Sequence, residues 1–523
     1  AIHSALEGAL DKVRDPLPAD LLGSRDLPPC AETLRQVHFP DDRESLERAK
    51  RRLRYEELFF FELAVAIQRA HVRRTPGTAH RFGPKVDERI RARLPFAMTG
   101  AQDRATREIV ADLVAPEPMN RLLQGDVGSG KTAVGLYAAL VVVANRGQVA
   151  FLAPTELLAR QHLRTLTSLL VGSEVRIDLL VGSSTAADRR RVLPALAAGE
   201  IDIVVGTHAL LEPDVEFDRL GLVVVDEQHK FGVAQRASLI RKGVRPDVLV
   251  MTATPIPRTL ALTAFGDLDV SIIDELPPGR LPATTKVCAR RGAGRAYERV
   301  RAEVEAGRQA YVVYPLIEES EEIDARSADE GFQELVAGPL RGLRVALVTG
   351  RTPSEERERI MAGFRSGELQ VLVGTTVLEV GVDVPRASVM VVESAQRFGL
   401  STLHQLRGRV GRGGTRAWCF LVADKLGGDA RTRLKVMEET TDGFRIAEED
   451  LRLRGPGEFA GTRQSGLPEF RIADLSRDLD VLQEAREDAF GLLAADPGLR
   501  GAPALSAELR RRFAGRVQLY EVG

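Results

Sequence analysis

Short apolar runs alternate with amphipathic stretches through most of the chain. Val149–Ala153, Ile203–Gly206, Leu222–Val225 and Val248–Met251 are continuous apolar runs, the pattern of strands buried on both faces. A second set repeats the rhythm in Ala310–Tyr314, Val345–Val348, Val371–Val373 and Met390–Val392. Helical patterns fill the intervals, so the simplest architecture is α/β: two doubly wound parallel-sheet lobes joined by a short linker. Pro277-Pro278-Gly279 is the strong breaker between the sets and the expected hinge. Ahead of both sets, Asp41 and Glu44 stand in capping-box spacing before a long helical pattern carrying Leu46, Ala49, Leu53, Leu58 and Leu63. This helix is expected to pack against the lobes, with Lys50-Arg51-Arg52 a solvated face rather than a DNA contact. Thr75–Arg81 reads as a polar linker. Beyond Asp424 the pattern turns helical and charged, then irregular near Leu451–Pro468.

These patterns divide the chain into a helical segment over 1–95, lobes over 96–279 and 280–423, and a helical and loop region over 424–523. A length of 523 residues exceeds what one core organises and fits two to four domains. The formal net charge of −1 decides nothing about a nucleic-acid partner, because local patches vanish in the sum. Cys30, Cys288 and Cys419 are odd in number and scattered, which fits a reducing cytoplasm better than a disulfide framework and gives no metal-ligand spacing. No uninterrupted apolar run is long enough to cross a bilayer, and no signal peptide is visible. The chain begins at Ala1 without Met, as a processed or truncated protein would.

Candidate chemistry begins at residues 125–132, Gly-Asp-Val-Gly-Ser-Gly-Lys-Thr, set between Leu122-Leu123 and the helical run Ala133–Val143. Gly125, Gly128 and Gly130 let backbone N–H groups wrap around phosphate oxygens, with Asp126 and Ser129 in the same loop. Lys131 supplies charge to the outer phosphates and Thr132 a hydroxyl for Mg²⁺ at the positive end of the helix. The strand Val223–Val225 ends in Asp226-Glu227, two acids at the carboxyl edge of a parallel sheet. Asp226 is placed to hold the Mg²⁺ shell and Glu227 to orient or deprotonate the attacking water. His229 lies two positions beyond and is a candidate coupler to the other lobe; Thr252 and Thr254 follow the next strand and can relay hydrogen bonds. Far along the chain, Gln405-Leu406-Arg407-Gly408-Arg409-Val410-Gly411-Arg412 puts Arg409 and Arg412 on one expected helical face, aimed across a cleft at the triphosphate. A site split between two lobes makes their closure depend on nucleotide, which a motor requires.

The ordered set Gln102, 125–132, 154–158, 206–208, 226–229, 252–254, 377–385 and 405–412 resembles the superfamily-two helicases over roughly 96–415. That resemblance implies two RecA-like lobes, ATP and Mg²⁺ as cofactors, and adenine contacts from Phe96 and Gln102. It also implies that Pro154, Thr155, Gly206, Thr207 and His208 grip a DNA backbone. Thr375, Glu379, Gly381 and Asp383 would link the grip of lobe two to the nucleotide.

Two stretches resemble the RecG family of branch-migration helicases more narrowly: Val37–Pro40 with Arg51–Phe59, and Asp450–Phe459 with Gly461–Gly466. The latter stretch resembles the translocation element that RecG shares with the transcription-repair coupling factor Mfd; its Arg452, Arg454, Arg463 and Gln464 are candidate DNA contacts on a Gly-rich loop. The family implies an ATP-dependent double-stranded DNA translocase that regresses stalled forks and migrates Holliday junctions. It further implies a monomer in the bacterial cytoplasm at the nucleoid, with forks, junctions and a single-strand-binding protein as candidate partners and no membrane role. Two departures stand out. No oligonucleotide-binding wedge fits within 1–95, and Val348-Thr349 precedes Gly350-Arg351 where the family usually shows a His. A transcription-coupled remodeller and a non-hydrolysing DNA scaffold are the alternatives.

Overall fold

A computed structural model describes residues 8, 10–73, 77–227, 242, 243, 245–253, 268–315, 321–375, 384–424, 427–454, 470–474 and 477–513. Two parallel sheets dominate. The first is built from β1 (Asn120–Gly125), β2 (Gln148–Leu152), β3 (Ile177–Leu180), β4 (Ile203–Gly206), β5 (Leu220–Asp226), β6 (Asp247–Thr252) and β7 (Asp269–Ile273), in the order β3-β4-β2-β5-β6-β1-β7. The other comprises β8 (Thr284–Ala289), β9 (Gln309–Val313), β10 (Val345–Val348), β11 (Val371–Gly374), β12 (Ala387–Val392) and β13 (Trp418–Ala423), in the order β10-β11-β9-β12-β13-β8. Every pairing in both sheets is parallel, so each connection within a sheet must cross over a face, and among the described residues helices do so between β1 and β2, β2 and β3, β3 and β4, β8 and β9, β9 and β10, and β10 and β11.

The eight apolar runs are all strands. Those in the first lobe fall at β2, β4, β5 and β6, the four adjacent central strands, whose residues are almost wholly buried. The helix Lys131–Ala144 that follows β1 is apolar nearly all round and buried accordingly, because it is sandwiched between the sheet and the helix Gly100–Leu113. Residues 274–283, which include the expected hinge, join β7 of the first sheet to β8 of the second.

Helices from the two ends of the sequence form a third body. Arg43–Arg73 lies along Leu479–Ala495, with Tyr55, Leu58, Phe59, Leu63, Leu482, Ala485 and Ala489 buried between them. The long helix therefore packs mainly on the C-terminal helices rather than on the lobes, and reaches the first lobe through an ion pair from Arg69 to Asp269. Its start is capped by Asp42, whose carboxylate accepts from the Ser45 N–H at 2.7 Å; Asp41 instead pairs with Arg35 and Gln36. The run at 50–52 is not a solvated face either. Arg52 is buried on Asp15 and Glu56, and Arg51 reaches Glu484 and the Arg25 carbonyl. The spacing shows charge but not the acids that fold onto it.

The helix Gly443–Arg454 connects this body to the second lobe. Ile446 packs in the lobe-two core and Leu451 in the terminal-helix core. The stretch expected to be irregular from Leu451 is still helical through Arg454; residues 455–469 lie outside the described set. Among the described residues, no helix is long and apolar enough to cross a membrane, and the three cysteines are free thiols.

Candidate nucleotide and coupling site

Strand order puts the candidate residues side by side. Along β4-β2-β5-β6-β1, the carboxyl ends carry Gly206-Thr207, Pro154-Thr155, Asp226-Glu227, Thr252 and Gly125, the edge where ligands of such sheets bind. The loop after Gly125 is shaped by its neighbours. A β-carbon on Gly125 would stand 2.6 Å from Ser129 Oγ, and one on Gly130, at φ 88°, would stand 2.2 Å from Gln102 Nε2. Gln102 is the keystone: its Oε1 accepts from the Thr99 N–H in a capping box, and its Nε2 donates to the Ser129 carbonyl at 2.7 Å. Its amide thus holds the loop, while Phe96, its expected companion at the adenine, is exposed at 46%.

Lys131 is buried and folds back on the loop, donating to the carbonyls of Gly125 at 2.7 Å and Asp126 at 2.9 Å. Burial pushes its ammonium below the ordinary lysine pKa, opposed by the acids Glu227, Asp226 and Asp126. Asp226 receives His162 Nε2 at 2.7 Å. Burial alone would raise the Asp226 carboxyl, but the His162 hydrogen bond and charge, with Lys131 beyond, hold it below the usual carboxylate range. Glu227 stands in the left-handed region at φ 53°, an uncommon conformation for a side chain of its size, right after the strand ends. Oxygen donors from one carboxylate and the Thr132 hydroxyl suit Mg²⁺, which takes few protein ligands and completes its shell with phosphate and water. Among the described residues there is no group of three or more His, Cys, Asp or Glu that would compete as a transition-metal site.

The second lobe closes on this loop. His404 donates from Nε2 to Asp126 Oδ1 at 2.5 Å, while its Nδ1 accepts from Arg407 Nη2 at 2.8 Å; accepting at Nδ1 places the ring proton on Nε2. The bond lowers the Asp126 carboxyl against the rise that burial would impose. Arg407 is itself buried, which lowers its pKa, and donates onward to the carbonyls of Met437, Thr440 and Thr441, just before the helix Gly443–Arg454. Arg280, from the inter-lobe connection, donates to Val127 O at 2.5 Å and Gly408 O at 2.9 Å.

Three family models match the chain in order: the DEAD/DEAH box helicase over 99–263, the helicase conserved C-terminal domain over 295–414, and the C-terminal part of domain 3 of the ATP-dependent DNA helicase RecG over 440–507. The ATP-dependent DNA helicase RecG of Bacillus subtilis is 48% identical over 497 residues, 95% of this chain and 73% of that protein. The chain belongs to the RecG family. The Synechocystis RecG is likewise 48% identical over 511 residues, covering 97% of this chain but 61% of its own length. A solved RecG bound to a three-way DNA junction superimposes with a TM-score of 0.73 at 44% identity, over 91% of this chain and 63% of that one. The chain thus spans about two thirds of its RecG relatives.

Within this RecG-family frame, the remaining expected residues can be placed. Thr155 caps the helix Glu156–Leu169, accepting from the Leu158 N–H at 3.4 Å; Thr207 is buried and His208 exposed. Thr252 and Thr375 are buried at strand ends, and Gln405 is buried. Arg409 and Arg412 do not share a helical face. The helix Leu400–Arg407 stops before them, and Gly411 at φ 81° turns the chain, so both arginines sit half-buried in successive turns. Arg452 lies on the exposed face of a helix, paired with Glu449, rather than on a loop. His229, Thr254, Glu379, Gly381, Asp383, Arg463 and Gln464, and the Arg454 side chain, lie outside the described residues. Sequence reasoning misses three contributors: His162, His404 and Arg280. A histidine on the buried face of a helix that starts at an expected motif, and an arginine next to an expected hinge, are the available signals.

Proposed function

We propose that this chain is an ATP-driven motor on duplex DNA that remodels branched DNA, both stalled forks and Holliday junctions. The observation that carries it is a continuous polar path: Asp126 of the phosphate loop to His404, His404 to Arg407, and Arg407 to the Thr440 and Thr441 carbonyls that lead into Gly443–Arg454. A change of loop occupancy therefore has a direct mechanical route to the helix that enters 455–469, the stretch that resembles a translocation element.

On this reading Lys131 and Thr132 hold phosphate and Mg²⁺, Asp226 the metal's water shell, and Glu227 the attacking water. Asp126 and Gln102 set the loop, and Gln405, Arg409 and Arg412 complete the site from the second lobe. Bound Mg²⁺ would neutralise charge on the phosphates. Pro154, Thr155, Thr207, His208, Thr252 and Thr375 carry the DNA grip along the carboxyl edges, and Arg452 contributes from its exposed helix. The lobes extend over 96–279 and 280–423. Phosphate contacts carry little base information, so recognition is of DNA shape. The RecG relatives and the junction-bound RecG support the branched substrate.

The test is ATP hydrolysis with no DNA, linear duplex, single strand, and three- or four-way junctions. Strong stimulation by duplex or junction is expected. Stimulation only by single strands or RNA would sink the proposal, and turnover in none would favour a non-hydrolysing scaffold.

A further inference from the structure

We propose that Arg280 is a third arginine of the nucleotide site: carried on the segment that joins the lobes, it bridges the phosphate loop to the Gly408 turn and shifts its donors onto the triphosphate when nucleotide enters. This rests on reading residues 125–132 as the ATP site. Arg280 follows Pro277-Pro278 and Gly279, and Gly279 has φ 84°; its own N–H returns to Pro277 O at 3.4 Å, forming a tight turn. From that turn, Nη1 donates to Val127 O at 2.5 Å in the first lobe and Nη2 to Gly408 O at 2.9 Å in the second. The guanidinium lies over the loop itself, because a β-carbon on Gly128 would stand 1.4 Å from Nη1. It also keeps company with a residue already assigned to the site: Arg412 Nε donates to the same Gly408 carbonyl at 3.4 Å.

Both carbonyls on Arg280 are neutral acceptors. A phosphate oxygen is charged, and hydrogen bonds between ionised partners are roughly twice as strong as neutral ones. A triphosphate arriving in the loop therefore competes well for the same donors, and a planar two-pronged group can keep one prong on protein while giving the other to phosphate. Because one prong ends in each lobe, that exchange alters the inter-lobe contact itself. Lys131 donates to the Gly125 and Asp126 carbonyls and Arg280 to the Val127 carbonyl, so the two cations serve three successive residues of one loop.

The experiment is equilibrium binding of a fluorescent ATP analogue to the full chain without DNA, then hydrolysis with junction DNA, for wild type, Arg280→Ala, Arg280→Lys and Lys131→Ala. Arg280→Ala is expected to weaken binding by roughly tenfold to a hundredfold. Arg280→Lys should recover part of that affinity through its charge, with turnover still several-fold low for want of the second prong. Unchanged affinity in Arg280→Ala would overturn the proposal and leave Arg280 a linker tie; tighter binding would overturn it in favour of a plug that excludes nucleotide. If Arg280→Ala does not fold, Arg280→Lys decides: wild-type KM and kcat overturn the proposal, and a rise in KM with a fall in kcat supports it. Lys131→Ala separates the two readings, since normal hydrolysis there would mean that residues 125–132 are not the site at all.

Discussion

The inter-lobe cleft and the clasp of terminal helices both join parts of the chain far apart in sequence, but with opposite materials. In the cleft, His404 meets Asp126, Arg280 meets Val127 and Gly408, and Arg160 meets Glu358 at 3.4 Å. In the clasp, Tyr55, Leu58, Phe59 and Leu63 are buried against Leu482, Ala485 and Ala489; the Arg25–Asp488 ion pair flanks that core, and Glu62 of the Arg486–Glu62 pair is buried with it. Hydrogen bonds depend steeply on angle and distance, whereas apolar burial scales with area and is non-directional. A small rotation therefore breaks the cleft and leaves the clasp standing. The molecule has its easily opened interface where nucleotide is expected and its durable one away from it.

The strongest way to break that contrast is Phe59→Ala. Phe59 is fully buried and stacks on Tyr55 at 5.9 Å, so truncation should cost about 3–5 kcal/mol in chemical unfolding. DNA-free turnover of the folded fraction should be unchanged; a parallel loss would mean that the clasp is part of the cleft's chemistry. Lys131→Ala is the reverse experiment. Turnover should fall about a hundredfold or more while the unfolding midpoint holds, because removing a buried ammonium takes away a desolvated charge along with its two bonds.

A smaller effect is expected from His404→Ala, about tenfold in DNA-stimulated turnover, comparable to one charged hydrogen bond. Asp126→Asn should do the same, and the double variant should be little worse than either, which a double-mutant cycle reads directly. The pH profile adds a sign. Asp126 has a depressed folded pKa, so its contact is present above the ordinary carboxylate range and is lost as pH falls through that lowered value. Without His404, burial is opposed only by the Val127 N–H and the Lys131 charge, and the acid limb of turnover should move to higher pH. Independent, additive losses would end the notion of a single path.

The smallest effect concerns a buried acid of the clasp, Glu62. Burial raises the Glu62 carboxyl to about 7, against the pull of Arg486. Between the ordinary value of 4.5 and that raised one, the folded protein binds a proton that the unfolded chain does not, so this group's contribution to stability falls as pH rises across the window. Thermal unfolding of Glu62→Gln should be less sensitive than wild type between pH 5 and 8, and relatively more stable at the upper end. An identical pH dependence would show that the Arg486 pair, not burial, governs the group.

Strands buried on both faces, such as β2 and β5, were legible because burial demands unbroken apolar runs. Of the edge strands, β10 is legible as the unbroken run Val345–Val348, whereas β3 and β8 are not, since Asp178 interrupts the one and Thr284, Thr285 and the exposed Lys286 the other. The phosphate loop and the two acids were legible because their spacing is local. Spacing alone puts Arg409 and Arg412 on one helical face, but Gly408, Gly411 and Gly413 end the helix at Arg407. The partnerships of His162, His404 and Arg280 were illegible for another reason. They span 64, 278 and 128 residues, and no window of sequence holds both members.

The clasp has a consequence for how the chain bears load. Tyr55 Oη reaches Asp488 across 433 residues, so both lobes lie inside one long loop whose neck is a pair of helices lying side by side. A force that pulls the two ends of the chain apart would meet that neck first and shear apolar side chains past one another before either sheet feels tension. The same neck must close over a very long loop during folding, a search whose entropy is smaller once the lobes have condensed and drawn its ends together. The sheets should therefore form first and the neck last, and under tension the neck should be the first to yield.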